Sequence, residues 1–153
     1  MAVGQSVPQY KHSRTKHSIK VICCMIISKR KPLTLPKLKE KAQRVFNAYI
    51  KNRDINKGCI SCGDQVTEAG HYYSMGHFSG LRFNEMNTNG QCTRCNCFMH
   101  GNLIHYRFGL LRRYGSDKLH LLESAATRNS FRKWSRAELE IIIDEYQQKL
   151  KAA

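Results

Sequence analysis

Apolar residues recur at helical spacing most clearly in two stretches of the chain. In the first, Leu38, Ala42, Val45, Phe46, Tyr49 and Ile50 fall on one stripe, which predicts an amphipathic helix opening at Leu35-Pro36. Thr34 suits its N-cap, and proline is tolerated in a first turn. The opposite face carries Lys37, Lys41, Arg44 and Lys51, so it faces water or phosphate. In the second stretch, Leu139, Ile142, Ile143, Tyr146 and Leu150 form a stripe behind Ser135 and Glu138. The Ser–Glu spacing predicts a capping box. That last stripe either packs back onto the first helix or serves as an oligomer face.

Between these helices the pattern is weaker. Asn56-Lys-Gly58 breaks the chain, and turn-rich sequence follows from Cys59 to Asn89. His71-Tyr-Tyr73 and Leu81-Arg-Phe83 are short apolar runs separated by Gly76 and Gly80, which predicts a two-stranded hairpin. Leu103, Tyr106, Leu110 and Leu111 mark the apolar face of a helix over residues 92–113, with Gly115 at its C-cap. A lesser helix is expected over residues 118–127. Residues 1–33 are basic, weakly periodic and punctuated by Pro8 and Pro32. They read as an extension, leaving 34–153 as the folded unit. The apolar run at 21–27 lacks a small-residue cleavage site after it and reads as a short strand or apolar arm. No run is long enough to span a bilayer. The expected class is α+β, mostly helical, with a small hairpin and a following helix.

Charge narrows the partners. Lys and Arg number 26 against 11 Asp and Glu, a formal net charge of +15. Such an excess favours nucleic acid or an acidic membrane surface. The basic residues are spread among Tyr, Phe and Asn, which favours a phosphate-tracking surface over a membrane patch.

The seven cysteines carry the strongest chemistry. Four stand in two Cys-x-x-Cys knuckles, Cys59-Ile-Ser-Cys62 and Cys92-Thr-Arg-Cys95. Two such pairs suit a closed tetrahedral zinc site. Zinc in small sites is worth roughly 10–16 kcal/mol at neutral pH, enough to organise a hairpin too small to fold unaided. The odd count and paired spacing argue for a reducing, cytoplasmic compartment. A redox role is disfavoured, because no strand–helix redox context precedes either knuckle. Cys97 is expected to point into helix packing.

Between and beside the knuckles lie His71, Asn87 and Asn96. A strand-borne histidine can take a proton from water near neutral pH. The Asn87 amide can hold a loop or the imidazole. The Asn96 carbonyl oxygen is a hard ligand suited to magnesium. Singly, each has a plainer explanation, since turn asparagines mostly serve the backbone. Their joint placement favours the functional reading.

This order of knuckle, His, Asn, knuckle and Asn resembles the zinc-bearing HNH endonucleases, whose fold is of the ββα-metal type. A longer string is similar to the NinG family of lambdoid-phage recombination proteins, also called Rap. It comprises Arg53-Asp54, Cys59-Ile-Ser-Cys-Gly63, Ala69-Gly-His-Tyr72, Leu81-Arg-Phe-Asn84, Asn87, Gln91-Cys92, Cys95-Asn96, Gly101-Asn102, Tyr106-Arg107 and Gly109-Leu110. The resemblance runs from about Leu35 to Gly115 and does not reach the N-terminal extension. It implies a structure-selective endonuclease acting on branched recombination intermediates such as Holliday junctions and D-loops. His71 would be the general base, Asn87 would orient it or its loop, and Asn96 would help hold a catalytic Mg²⁺ or Mn²⁺. Arg82, Arg94, Arg107, Arg112 and Arg113 are the candidate phosphate contacts.

One departure concerns Gly70, where the wider HNH pattern commonly has an Asp that ligates the metal. Asp64, Glu68, Glu85, His77 and His100 are the candidates to complete the set. Branched DNA and recombination proteins are the implied partners, and paired cuts would suit a homodimer. Two other readings compete: a non-catalytic zinc-ribbon-like nucleic-acid binder, and a partner-recruiting protein.

Overall fold

The computed structural model describes residues 31–128 and 131–152. The elements run α1 (Leu35–Asp54), a 3-10 turn (Ile55–Lys57), β1 (Glu68–His71), a second 3-10 turn (Ser79–Leu81), β2 (Thr88–Gln91), a wide π-type turn (Arg94–Phe98), α2 (Leu103–Tyr114), α3 (Ser116–Arg128) and α4 (Arg136–Lys151). Over the described residues the class is α+β, mostly helical with one two-stranded antiparallel sheet. The expected N-terminal extension and its apolar run lie outside the described residues. Among the described residues, no helix is long and apolar enough to cross a membrane.

The apolar stripe of α1 does what its spacing requires. Leu38, Ala42, Phe46 and Ile50 are buried and meet Leu139, Ile143 and Tyr146 of α4. Phe46 packs edge-on against Phe83 at 5.7 Å and Tyr146 at 4.8 Å between ring centres. The α4 stripe is therefore used within the chain, on α1. Ser135 and Glu138 form the expected capping box. Thr34 does occupy the N-cap of α1, but its side chain makes no capping hydrogen bond.

A hairpin forms, with a different second strand from the one expected. β1 pairs with β2 in the register Glu68–Gln91, Ala69–Gly90, Gly70–Asn89 and His71–Thr88. Leu81 instead closes a 3-10 turn and joins a second core with Ile60, Tyr106, Leu110, Leu119 and Leu122. Phe83 goes to the first core. The apolar run at 81–83 thus serves two cores from a turn, and β2 is polar Thr-Asn-Gly-Gln, buried along its whole length.

The helix expected over 92–113 is also split. His100, Gly101 and Asn102 all take positive φ, at 49°, 89° and 46°. Helix cannot pass through such backbone, and Asn and Gly tolerate it best. The π-type turn ends there and α2 begins at Leu103. Leu103, expected on the apolar face of that helix, is exposed.

Buried polar groups take the place of apolar packing around β2. Asp54, at the C-terminal end of α1, is fully buried. Its carboxylate accepts from the Gly90 amide at 2.8 Å, Arg53 Nη2 at 2.8 Å, Lys57 Nζ at 3.0 Å and Arg113 Nη1 at 3.1 Å. Asn89 Oδ1 accepts from the Tyr114 hydroxyl at 2.9 Å, and Asn89 Nδ2 donates to Tyr106 Oη at 3.2 Å. Tyr106 in turn donates to the Gly70 carbonyl at 2.9 Å. The sheet is thereby tied to α1 and α2 through charge-assisted bonds. Burial alone would raise the Asp54 pKa; the Arg53 and Gly90 donors outweigh it and hold the carboxyl well below the usual range.

Asp54→Ala should lower the unfolding free energy by about 3–5 kcal/mol at neutral pH, because it leaves buried cations unpaired. A depressed folded-state pKa means that this contribution is present above the unfolded value of about 3.9 and is lost as pH falls towards the folded value. Urea unfolding of both proteins should show a wide gap at neutral pH that narrows in acid.

Candidate functional site

The two knuckles sit on different segments, one after α1 and one after β2, and the hairpin register brings them together. Among the described residues, the sulfurs of Cys59, Cys62, Cys92 and Cys95 all lie within 4.8 Å of one another. Cys59, Cys92 and Cys95 are buried, and Cys62 is exposed. Main-chain and amide donors point at the sulfurs: the Cys95 N–H to Cys92 Sγ at 3.5 Å and Asn102 Nδ2 to Cys95 Sγ at 3.4 Å. Burial pushes the Cys59 thiol up, but backbone donors from Cys92, Cys62 and Ser61 bring it down to about 7. Burial and neighbouring thiols push Cys62 up. Four crowded thiols cannot all ionise unless a cation joins them, and four-sulfur donor sets of this kind fit a structural metal such as zinc. Cys97 is exposed, not packed among helices as expected.

His71 closes β1. Its Nε2 lies 3.0 Å from the Arg82 carbonyl oxygen. A carbonyl only accepts, so Nε2 carries the proton and Nδ1 is left as the bare nitrogen. The ring lines a cleft of about 330 Å³ with Tyr72, Tyr73, Phe78, His100 and Leu103. Burial, with the Arg82 charge, lowers its pKa from the ordinary value, so the neutral ring is favoured.

Asn87 is fully buried and clamps the loop between the strands. Its Oδ1 accepts from the Tyr73 amide at 2.8 Å, and its Nδ2 donates to the carbonyls of Tyr73 at 3.0 Å and Leu81 at 3.1 Å. It thus fixes the chain at Tyr73, on the cleft wall, and at Leu81, with no hydrogen bond to the imidazole.

Asn96 stands in the π-type turn. A Cβ at Gly70 would come 3.0 Å from Asn96 Oδ1 and 1.9 Å from Gln91 Oε1, so any side chain there would displace the Gln91 amide. An Asp could not occupy position 70 with Gln91 in place. The other candidates divide. Glu85 is held between α1 and α4 by Tyr49, Tyr146 and Lys149. Asp64 is exposed beside Arg94. Only His100 of this group lines the His71 cleft. Gln91, in a short strand, and Asp54, at the end of α1, had no role assigned from sequence, because a buried polar residue leaves no periodic signal.

Known proteins share this sequence pattern. The family described as Bacteriophage Lambda NinG protein matches residues 10–153. The chain belongs to the NinG family. It is 41% identical over 115 residues to Protein ninG of Escherichia phage lambda, covering 73% of this chain and 55% of that protein. Protein ninG of Salmonella phage P22 is 40% identical over 115 residues, with 73% and 55% covered. For Protein ninG of Escherichia phage 933W the values are 39%, 73% and 56%. The chain thus spans little more than half the length of these relatives. No solved structure matches it.

In this NinG chain the five candidate phosphate-contact arginines have different duties. Arg94 and Arg107 are exposed, each with one carboxylate neighbour, Asp64 at 3.5 Å and Glu123 at 3.1 Å. Arg112 lines a cleft of about 460 Å³ with Lys57 behind the first knuckle. Arg113 is largely buried and bonded to Asp54, Asn89 and the Gly58 carbonyl. Arg82 reaches Gln43 Oε1 at 3.0 Å.

Protein prepared under reducing conditions should contain equimolar zinc, and Cys95→Ser should lose both the metal and cooperative melting; elemental analysis and circular dichroism measure these. If the exposed arginines meet nucleic-acid phosphates, Arg107→Ala should weaken DNA binding and reduce the log–log salt slope by about 1. Arg113→Ala should chiefly lower the melting temperature.

Proposed function

We propose that this NinG chain is a metal-dependent endonuclease of the zinc-bearing HNH type, hydrolysing phosphodiester bonds in branched DNA formed during phage recombination. The observation that carries the reading is the His71 ring. Its Nε2 proton is committed to the Arg82 carbonyl, its pKa is lowered by burial, and it lines an open cleft. A half-buried neutral imidazole with one bare nitrogen at a cleft is suited to general-base work.

Water in that cleft would give its proton to His71 Nδ1 as its oxygen attacks phosphorus. The phosphorus–O3′ bond breaks, leaving 5′-phosphate and 3′-hydroxyl ends. Asn87 keeps the Tyr73 wall of the cleft in place. Arg94 and Arg107, exposed and each in a surface ion pair that a phosphate could displace, would hold phosphates. A divalent ion, Mg²⁺ or Mn²⁺, held with the help of Asn96 would stabilise charge on the phosphate and the departing oxygen. Selectivity for branches would come from shape and deformability, with little base reading.

Nicking of a four-way DNA junction is the direct test. His71→Ala should slow cleavage by about 10²–10⁴-fold, the usual worth of a general base, while gel-shift affinity stays unchanged. Cleavage at the wild-type rate would remove His71 from the mechanism. Binding with no nicking by the wild type would favour the non-catalytic zinc-ribbon-like reading. Because His71 acts when deprotonated and its pKa is lowered, the acid limb of the rate profile should fall below the ordinary histidine value of about 6.5.

A further inference from the structure

Several apolar side chains beside the His71 cleft are left in water. Phe98 is 78% exposed and Ile104 is 73% exposed, and Met99, Leu103 and Phe108 are exposed as well. Single exposed apolar residues are ordinary, but a cluster of them marks a contact surface. The chain itself clusters these. Phe98 and Met99 directly precede His100, and Ile104 directly follows Leu103; His100 and Leu103 both line the cleft. Phe108 stands one helical turn beyond Ile104 on the same face of α2. The patch therefore forms a rim to the cleft.

The turn that carries Phe98 is braced. The Met99 N–H donates to the Arg94 carbonyl and the Gly101 N–H to the Cys95 carbonyl, each at 2.9 Å. Cys95 belongs to the sulfur cluster, so the turn is built directly on that centre. Phe98 is held outward by a fixed backbone, and presenting it to a partner costs little further ordering.

The surroundings indicate what covers the rim. Between Glu85 and Asp117 the chain has no acidic residue, and Arg94, His100, His105, Arg107 and Arg112 lie in that stretch. The carboxylates that approach it, Asp64 and Glu123, are each paired with one of these arginines. A second copy docking through the same face would set the basic groups against themselves. Phosphates suit the arginines but leave the apolar side chains unused. In paired duplex the bases cover one another's faces, whereas unpaired bases leave a face free. Exposed aromatic side chains within a basic surface are the combination that binds unpaired bases. We infer that the cleft rim, led by Phe98 and Ile104, stacks against unpaired bases, so that the site selects DNA whose bases are unstacked beside the strand to be cut. This names the substrate feature recognised by the nuclease site proposed above and rests on that reading; the stacking is measured apart from cleavage.

Binding of the zinc-loaded protein, without added divalent ion, is compared by fluorescence anisotropy on a blunt duplex, the same duplex with a short unpaired bulge, and a four-way junction. Wild type should prefer the bulged and branched DNA over the blunt duplex. In Phe98→Ala that preference should fall by about tenfold, the scale of stacking one base. Phe98→Trp should keep it, and emission from the added tryptophan should be quenched by the bulged duplex and not by the blunt one. Ile104→Ala, on a separate element, repeats the test and is decisive if the Phe98 variants fail to fold. No preference in the wild type, or a preference unchanged in both alanine variants, overturns the inference. So does a Phe98→Ala protein that keeps the preference but loses self-association in sedimentation or binding to anionic phospholipid vesicles, which would assign the rim to a second copy or to a membrane surface. If the preference depends on Phe98 and the wild type nicks no junction, the stacking rim stands and the nuclease reading falls. If nicking depends on His71 and both alanine variants keep the preference, the nuclease reading stands and the stacking rim falls.

Discussion

The meeting of four cysteine sulfurs from two distant segments is the constraint on which the rest of this fold depends. Cys59 and Cys62 follow α1, Cys92 and Cys95 follow β2, and all four sulfurs come within 4.8 Å. The hairpin between them has only four residues in each strand, too little to stand alone in water. Closing that segment with a metal cross-link would fix the register of β1 against β2, and the register fixes which residue faces the cleft. A slip of one residue would turn His71 to the other face.

A second constraint acts at the C-terminal end of α1. Asp54 accepts from the Gly90 amide and from three cationic side chains, so β2 is anchored to the end of α1 by charge. Tyr106 of α2 carries the connection on to the Gly70 carbonyl. The sheet that ends in His71 is thus flanked by the cysteine cluster beyond Gln91 and by the buried ionic hub at Asp54. Such a hub is strong only while every member is present. Arg53 and Arg113 are spent on it and are accordingly less available to an anionic partner than the exposed Arg94 and Arg107.

The two helices with apolar stripes, the capping box at Ser135 and the cysteine knuckles were legible because each leaves a periodic or spaced signature. The hairpin was legible as a unit, but its second strand was not. Thr88 to Gln91 are polar and buried, and their burial is compensated by hydrogen bonds to residues far along the chain. Leu81 and Phe83 mimic a strand because a turn sends neighbouring apolar side chains into two separate cores. The break at His100, Gly101 and Asn102 had a local signal in Gly-Asn, which was outweighed by the apolar run behind it. At the site, His71 and Asn87 could be picked out by position between the knuckles. Phe98 could not, because what sets it apart is an exposure that only the folded chain reveals.

The central claim is that this scaffold presents one imidazole with Nε2 bonded inward and Nδ1 bare. The NinG family gives the chain its place, and the cleft gives that nitrogen a use. Long-range ¹H–¹⁵N spectra of the histidine rings in the zinc-loaded protein report the tautomer directly. The expected result is a His71 ring that is neutral at neutral pH, with its proton on Nε2 and an unprotonated Nδ1. A His71 ring protonated on Nδ1, or charged at that pH, would contradict it.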